Sequence, residues 1–445
     1  MSLIPRIQRN TNQALRNLVQ LDRPVVEKSE EELNAEVEKN YRWNFGVNSL
    51  DVTFFFFGLS LVSAYTIVPL YISKLTDSTV PVGIAALIAQ GSWYLPQLFT
   101  ANFTERSPRM KPIVVNLGLF LERLPFWVLV ISTFFAIQAP TLALVIFLIG
   151  YAWHGFGAGM VAPSWQNLIA RCFSAERRGR FFGISMALGT ATGMAGAALS
   201  TWVLSTYDYP RDFTLIFTLA ALSIFVSLFF LALTREPVPS QKLVERTQRE
   251  FFHGVSDIIQ KKLNFRRFLI ARFLLVFGSM GAAFVTVAAL RVWDVSDGTV
   301  GVFTAFQLLG QGIGTLGLGM MADKKGHKVS IEISALAAVL AFFFAFIAPN
   351  PTFYFITFFL LGIGNGGIMV SGILIVLEFA EPERRPTYIG IAGTGVGVIS
   401  MIAPLVGVAI ANVSFTLLFG ISAAINLLAL VGLVFTVREP RTQAV

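Results

Sequence analysis

Three ionisable residues lie deep inside long apolar stretches of this 445-residue chain: Glu122 and Arg123 in one stretch and His154 in the next. Charge in such a setting is expensive and marks a functional site by default. A carboxylate beside an imidazole can carry a proton, because histidine titrates near neutrality. The competing reading is structural: Glu122 and Arg123 neutralise each other and pin their own helix. Around His154, the residues Tyr151, Ala158 and Trp165 recur at helical spacing on one face. They offer the aromatic surface and hydrogen-bond donors that line small-molecule sites, although a packed core stripe has the same spacing. Further polar side chains in apolar stretches are Gln90, Trp93, Gln97, Gln307, Gln311 and Asn365. Asp51 with Asn48, and Arg272, stand nearer the ends of theirs.

The chemistry of bond-breaking is not expected. No Ser/His nucleophile pair stands out. The histidines, His154, His253 and His327, are scattered, so neither a metal site nor a cofactor is implied. With Cys172 as the one cysteine, no intrachain disulfide can form. The expected ligand is a small molecule in a polar pocket, with protons as a candidate co-substrate.

The elements that hold these residues are membrane spans. Hydrophobic residues make up 55% and charged residues 13% of the chain, against about 25% charged in soluble domains. Crossing a bilayer takes about 20 apolar residues. Twelve stretches qualify: 45–72, 82–103, 113–136, 141–169, 181–205, 213–233, 268–291, 299–321, 329–348, 352–379, 388–411 and 414–436. We number these spans 1 to 12. The expected class is thus an all-α membrane protein of two six-helix halves.

Loop charge sets the orientation. Of 34 lysines and arginines, 29 lie in the leader, the tail and the loops on their side. The opposite loops hold only Lys74, Arg211 and Arg291. By the positive-inside rule both termini are cytoplasmic and the protein sits in an inner or plasma membrane. The net charge of +8 is then a topology signal and not a nucleic-acid patch. The segments read as a leader 1–44, a six-helix bundle 45–233, a linker 234–267, a second bundle 268–437 and a tail 438–445. In the linker, Phe251, Phe252, Val255, Ile258 and Ile259 share one face of a helix over 248–262, which predicts a helix on the membrane surface. Ser29, followed by Glu30, Glu31 and Glu32, predicts a capped helix in the leader.

The halves repeat each other. Thr234-Arg235-Glu236-Pro237 ends span 6 and Val437-Arg438-Glu439-Pro440 ends span 12. Glu176-Arg177-Arg178-Gly179 precedes span 5 and Glu383-Arg384-Arg385-Pro386 precedes span 11; the two offsets, 203 and 207, nearly agree. Between spans 8 and 9 runs Gly319-Met320-Met321-Ala322-Asp323-Lys324-Lys325-Gly326-His327-Lys328. This turn resembles the signature loop of the major facilitator superfamily. The turn between spans 2 and 3 is a degraded copy, with Glu105, Arg106 and Arg109 at the acidic and basic places. The likeness runs from about residue 45 to about 440. Gly326 is expected at positive φ, which a tight two-helix turn needs.

The resemblance implies a twelve-helix transporter working by alternating access, expected to be a monomer in the lipid bilayer. It implies that Asp323 meets the start of span 5, near Arg177 and Arg178, and that Glu105 meets the start of span 11. Such contacts would hold the cytoplasmic side closed, with Lys324 and Lys328 flanking. Glycines in spans 5, 8 and 11 would sit along the moving seam. The solute site would lie between the halves, with Glu122, Arg123, His154 and Asp51 as coupling candidates. Tyr151 stands where proton-coupled members often have arginine, and Gly193 is followed by Met194 where the antiporter motif has proline, so the common drug/proton antiport pattern is imperfect. A lipid or amphiphile flippase of the same superfamily and a non-transporting sensor or scaffold are the alternatives.

Overall fold

The computed structural model describes residues 13, 16–21, 23–238, 258–380 and 385–443. Among these residues it is all-helical. Nine helices are long and apolar enough to cross a membrane, and they coincide with spans 3 to 7 and 9 to 12. Spans 2 and 8 are helical too, Val80–Arg106 and Asp297–Lys325, though diluted by glutamines and glycines.

Span 1 differs from expectation. One helix, Glu30–Leu61, runs from the leader into the apolar stretch, breaks at 62–66 and resumes as Ile67–Leu75. Ser29 caps it, accepting from the Glu32 amide while the Glu32 carboxylate accepts from Ser29. The capped leader helix and span 1 are therefore a single element, and residue 45 is no boundary. The predicted surface helix at 248–262 falls mostly outside the described residues. Its described end packs on protein, since Ile258 is buried with Phe265 and Phe268.

Span 3 opens with two π-helical turns, Ile113–Leu117 and Leu119–Arg123, before the α-helix Pro125–Phe134. Pro125 has no N–H to give the Leu121 carbonyl, which favours a widened turn there. A methyl on Gly157 would sit 1.8 Å from that carbonyl, so span 4 approaches it through a glycine. The result is that Glu122 and Arg123 turn inward.

Spans 1 to 6 pack mainly among themselves, as do spans 7 to 12; the two groups meet along the antiparallel pairs 2/11 and 5/8. This seam is a wedge. At the end away from the basic loops, Thr66 and Thr304 hydroxyls are 2.6 Å apart and Thr286 donates to the Tyr65 carbonyl at 2.6 Å. Thr79 donates to Asn412 at 2.5 Å, and Lys74 pairs with Asp297 at 2.6 Å. A methyl on Gly301 would lie 2.7 Å from the Thr201 backbone, and one on Gly83 2.0 Å from Val408. Halfway along, Gly193 and Gly312 still face Leu308 and Thr190 at 3.4 and 3.2 Å. Nearer the basic end, a methyl on Gly183 or Gly393 would meet nothing within 4 Å.

At that basic end each group of six is tied by the same device. Asn44 clasps the backbone of Arg235, donating to its carbonyl and accepting from its amide, both at 2.9 Å. Asn264 clasps Arg438 in the same way at 3.0 and 2.9 Å. Glu236 then accepts from the amides of Met110 and Lys111 at 2.8 and 2.9 Å and pairs with Arg171 at 2.8 Å. A carboxylate on free amides at a helix start is favourable twice over, through hydrogen bonds and the helix dipole. The repeated Arg-Glu-Pro endings thus close off span 3 and, in the second group, bring Glu439 against Gly326, whose φ of +96° is positive as expected.

Candidate functional site

The first six spans bury a charge cluster. Arg123 and Glu122 form an ion pair with side chains only 4% and 7% exposed. The Arg123 guanidinium lies 5.8 Å from the Phe55 ring centre on span 1 and also senses the Asp51 carboxylate. Asp51 accepts from Ser227 of span 6 at 2.5 Å. Two acids and one base therefore converge from spans 1 and 3, held by spans 4 and 6. Glu122 and Arg123 do neutralise each other, and Arg123 also reaches beyond its own span.

His154 is buried, and its Nδ1–H donates to the Glu122 carbonyl at 2.9 Å. Its ring meets Phe126 edge-on at 4.5 Å. It faces span 3 rather than the seam. Tyr151 stacks on Phe147 at 5.7 Å within an aromatic core that includes Tyr71 and Phe217. Ala158 is buried too, and Trp165 is half-buried against Phe182. Most of the stripe on span 4 is thus the core of the first group. The seam-facing polar groups come from spans 1, 2, 8 and 10. Gln90 donates to the Tyr65 hydroxyl at 2.5 Å, and Asn365 approaches the same hydroxyl from the other group. Trp93 is exposed, and Gln97 is spent on the Trp93 carbonyl at 2.7 Å. Gln311 touches the Met369 sulfur at 3.9 Å; Gln307 is buried with its Oε1 lacking a partner among the described residues.

The second six spans bury one arginine, Arg272 of span 7, which is 8% exposed. No carboxylate meets it among the described residues, and its Nη1 has no hydrogen-bond partner there. Its Nη2 lies 3.5 Å from where a methyl on Gly372 of span 10 would be, and the next residue, Phe273, packs on Gly395 of span 11.

The signature-loop residues do not yet meet their expected partners. Asp323 and Lys324 are exposed; the Asp323 backbone carbonyl accepts from Arg441 at 3.2 Å. Lys328 pairs with Glu332 at 2.7 Å, and Gly319 faces Val370. Arg177 reaches Glu38 at 3.0 Å and lies over the Tyr41 ring, not beside Asp323. Arg178 donates to the last carbonyls of span 4, Ala170 at 2.5 Å and Phe173 at 3.0 Å. Arg109 holds the leader through the carbonyls of Arg23 and Pro24 at 3.0 and 2.8 Å. The side chains of Glu105 and Arg106 lie outside the described residues.

Residue types alone did not point to Tyr65, Ser227, Thr66 or Thr304, which carry no charge and have no motif. Glu236 had a signal, the duplicated Arg-Glu-Pro, but its hydrogen bonds to span 3 needed the fold.

Comparisons with known proteins agree on the architecture. A family model described as Major Facilitator Superfamily matches residues 118–293 and 268–445. Multidrug resistance protein MdtL of Vibrio parahaemolyticus is 26% identical over 147 residues, 33% of this chain and 37% of that one. The benzoate transport protein of Acinetobacter baylyi is 25% identical over 165 residues, 34% of each. The chain thus spans about a third of the length of these relatives. The solved structure of the nucleoside transporter NupG superposes with a TM-score of 0.63 at 14% identity, covering 88% of this chain and 99% of that one.

Proposed function

The chain belongs to the major facilitator superfamily, and from that premise we propose that it carries a small organic solute across a cell membrane by alternating access. The observation that carries this reading is the wedge: the seam is shut by hydrogen bonds and an ion pair at one end and has open glycines at the other. With the basic loops in the cytoplasm, this is a cytoplasm-open state. The exposed Asp323 side chain, which has no ion-pair partner among the described residues, and the Arg177–Glu38 pair fit that state, because contacts that lock the cytoplasmic side must be broken in it. The solute would lie at mid-depth between the two groups of six, against Gln90, Trp93, Gln311 and Asn365, with Gln307, Gln97, Tyr151, His154 and Trp165 as supports behind them. Relatives named for multidrug resistance and for benzoate transport support a small organic cargo.

The Asp51–Arg123–Glu122 cluster is the proton-coupling candidate. Glu122 pairs with Arg123 while Asp51, buried in the same group of spans, is held by Ser227, so one guanidinium stands beside two buried acids and uptake of one proton balances the charge. His154 orients the pair through the Glu122 carbonyl. Solute flux into proteoliposomes that ignores an imposed pH gradient would remove coupling from this reading.

The cycle itself is tested by thiol labelling in a Cys172→Ser background. Gly183→Cys should react with an impermeant reagent from the basic face, and Thr201→Cys from the opposite face only when the wedge inverts. Joining Thr66→Cys to Thr304→Cys by a disulfide should hold Gly183→Cys reactive and protect Thr201→Cys completely. If Thr201→Cys reacts equally with and without that cross-link, there is no alternation.

A further inference from the structure

We propose that Arg272 is the anchor of an anion-binding site and that the cargo is a small monocarboxylate with an apolar or aromatic body. This rests on the alternating-access reading above and names the substrate class for it. A buried guanidinium without a counter-charge is unfavourable, because burial strips its water and nothing replaces it. The first group of spans answers that cost for Arg123 with the Glu122 carboxylate. The second group supplies none for Arg272 among the described residues, and leaves Nη1 with no partner there.

The surroundings define the missing partner. Span 10 presents Gly372 to the guanidinium, so no side chain fills the space beside Nη2. Span 2 packs Tyr94 on Gly397 of span 11, and the neighbouring Trp93 is 39% exposed. On the other flank Phe273 packs on Gly395 of span 11. The arginine therefore faces the junction of spans 2, 7, 10 and 11, where the two groups part. A planar guanidinium matches a carboxylate through two parallel hydrogen bonds. One arginine alone balances one negative charge, and the aromatic neighbours suit an apolar body, which together favour a monocarboxylate over a phosphate or a dianion.

The ligand also couples to the cycle. It would contact Arg272 on one side of the seam and the span 2 aromatics on the other, so occupancy would favour closing the wedge over it.

The test uses purified full-length protein in phosphatidylcholine nanodiscs. Benzoate and hexanoate are titrated by calorimetry beside the uncharged benzamide and the cationic benzylamine. At least one carboxylate should bind, with benzamide weaker by tenfold or more and benzylamine silent. Arg272→Gln should lose the carboxylate affinity by at least tenfold, while Arg272→Lys keeps part of it. Size-exclusion profiles of both variants report folding, and Arg272→Lys keeps the question open to decision if Arg272→Gln misfolds. Equal binding of benzoate and benzamide, or unchanged benzoate binding in Arg272→Gln, overturns the proposal. So does silence from both carboxylates. If phosphatidylglycerol nanodiscs abolish carboxylate binding and inorganic phosphate binds as well as benzoate, the guanidinium belongs to a lipid headgroup and the proposal falls. Because the thiol-labelling experiment needs no anion, alternation that persists while carboxylates fail to bind would sink this inference and leave the transport reading standing.

Discussion

Each group of six helices buries one arginine, and the two are solved in opposite ways. Arg123 pairs with Glu122 and lies over the Phe55 ring, and Asp51, held by Ser227, is a second buried acid in the same group. Arg272 faces the seam with no acid near it among the described residues. Charge balanced inside one bundle is internal scaffolding or a proton site; charge left unbalanced at the boundary between bundles waits for something that arrives from outside. The same fold, doubled, thus uses one residue type for two ends.

The comparison breaks most visibly in stability. Arg123→Gln strands two buried carboxylates and should cost about 3–5 kcal/mol in detergent unfolding, whereas Arg272→Gln in the ligand-free protein should cost nothing or stabilise it. Equal losses would mean that Arg272 is also internally paired. The next contrast is between the clasps at the basic end. Glu236→Gln weakens a buried ion pair and two hydrogen bonds to span 3 amides, for about 1.5–3 kcal/mol in the same measurement.

The two ends of the seam sharpen the picture with a smaller effect. Gly301→Ala puts a methyl against the Thr201 backbone at the shut end, while Gly183→Ala meets open space. The first should shift Thr201→Cys labelling toward the inverted state by about tenfold, or about 1.4 kcal/mol, and the second should leave it unchanged. Equal labelling of both would deny that the shut end is held by close packing.

The smallest effect distinguishes Glu439 from Glu236. Burial, and then the Glu378 charge, push the Glu439 carboxyl above the usual range. Its proton is therefore held more tightly folded than unfolded, so its contribution to stability falls as pH rises from about 4.5 into the raised range. Replacing it by glutamine should flatten that part of the stability–pH curve; an unchanged slope removes Glu439 as its source.

Much of the fold was legible in the chain. Nine expected spans return as membrane-length helices with ends within a few residues, and Gly326 has its positive φ. The Ser29 cap was legible, but the continuity of its helix through Trp43 to Leu61 was not, because polar and apolar stretches of one helix look like two segments. The site was less legible. Spacing put Tyr151 and His154 on one face of span 4, yet that face turns to span 3 and the aromatic core. A helical stripe has the same period whichever neighbour it meets.

The sequence by itself determined that the chain is a multi-pass membrane protein and where most of its helices lie, since apolar length and loop charge are local properties read along the chain. Only the tertiary structure decided which end of the seam is shut, that Glu122 pairs with Arg123 while Ser227 holds Asp51, and that no described carboxylate meets Arg272. Those facts depend on the rotation and tilt of helices distant in sequence, and a charge finds its partner, or fails to, only once they are packed together.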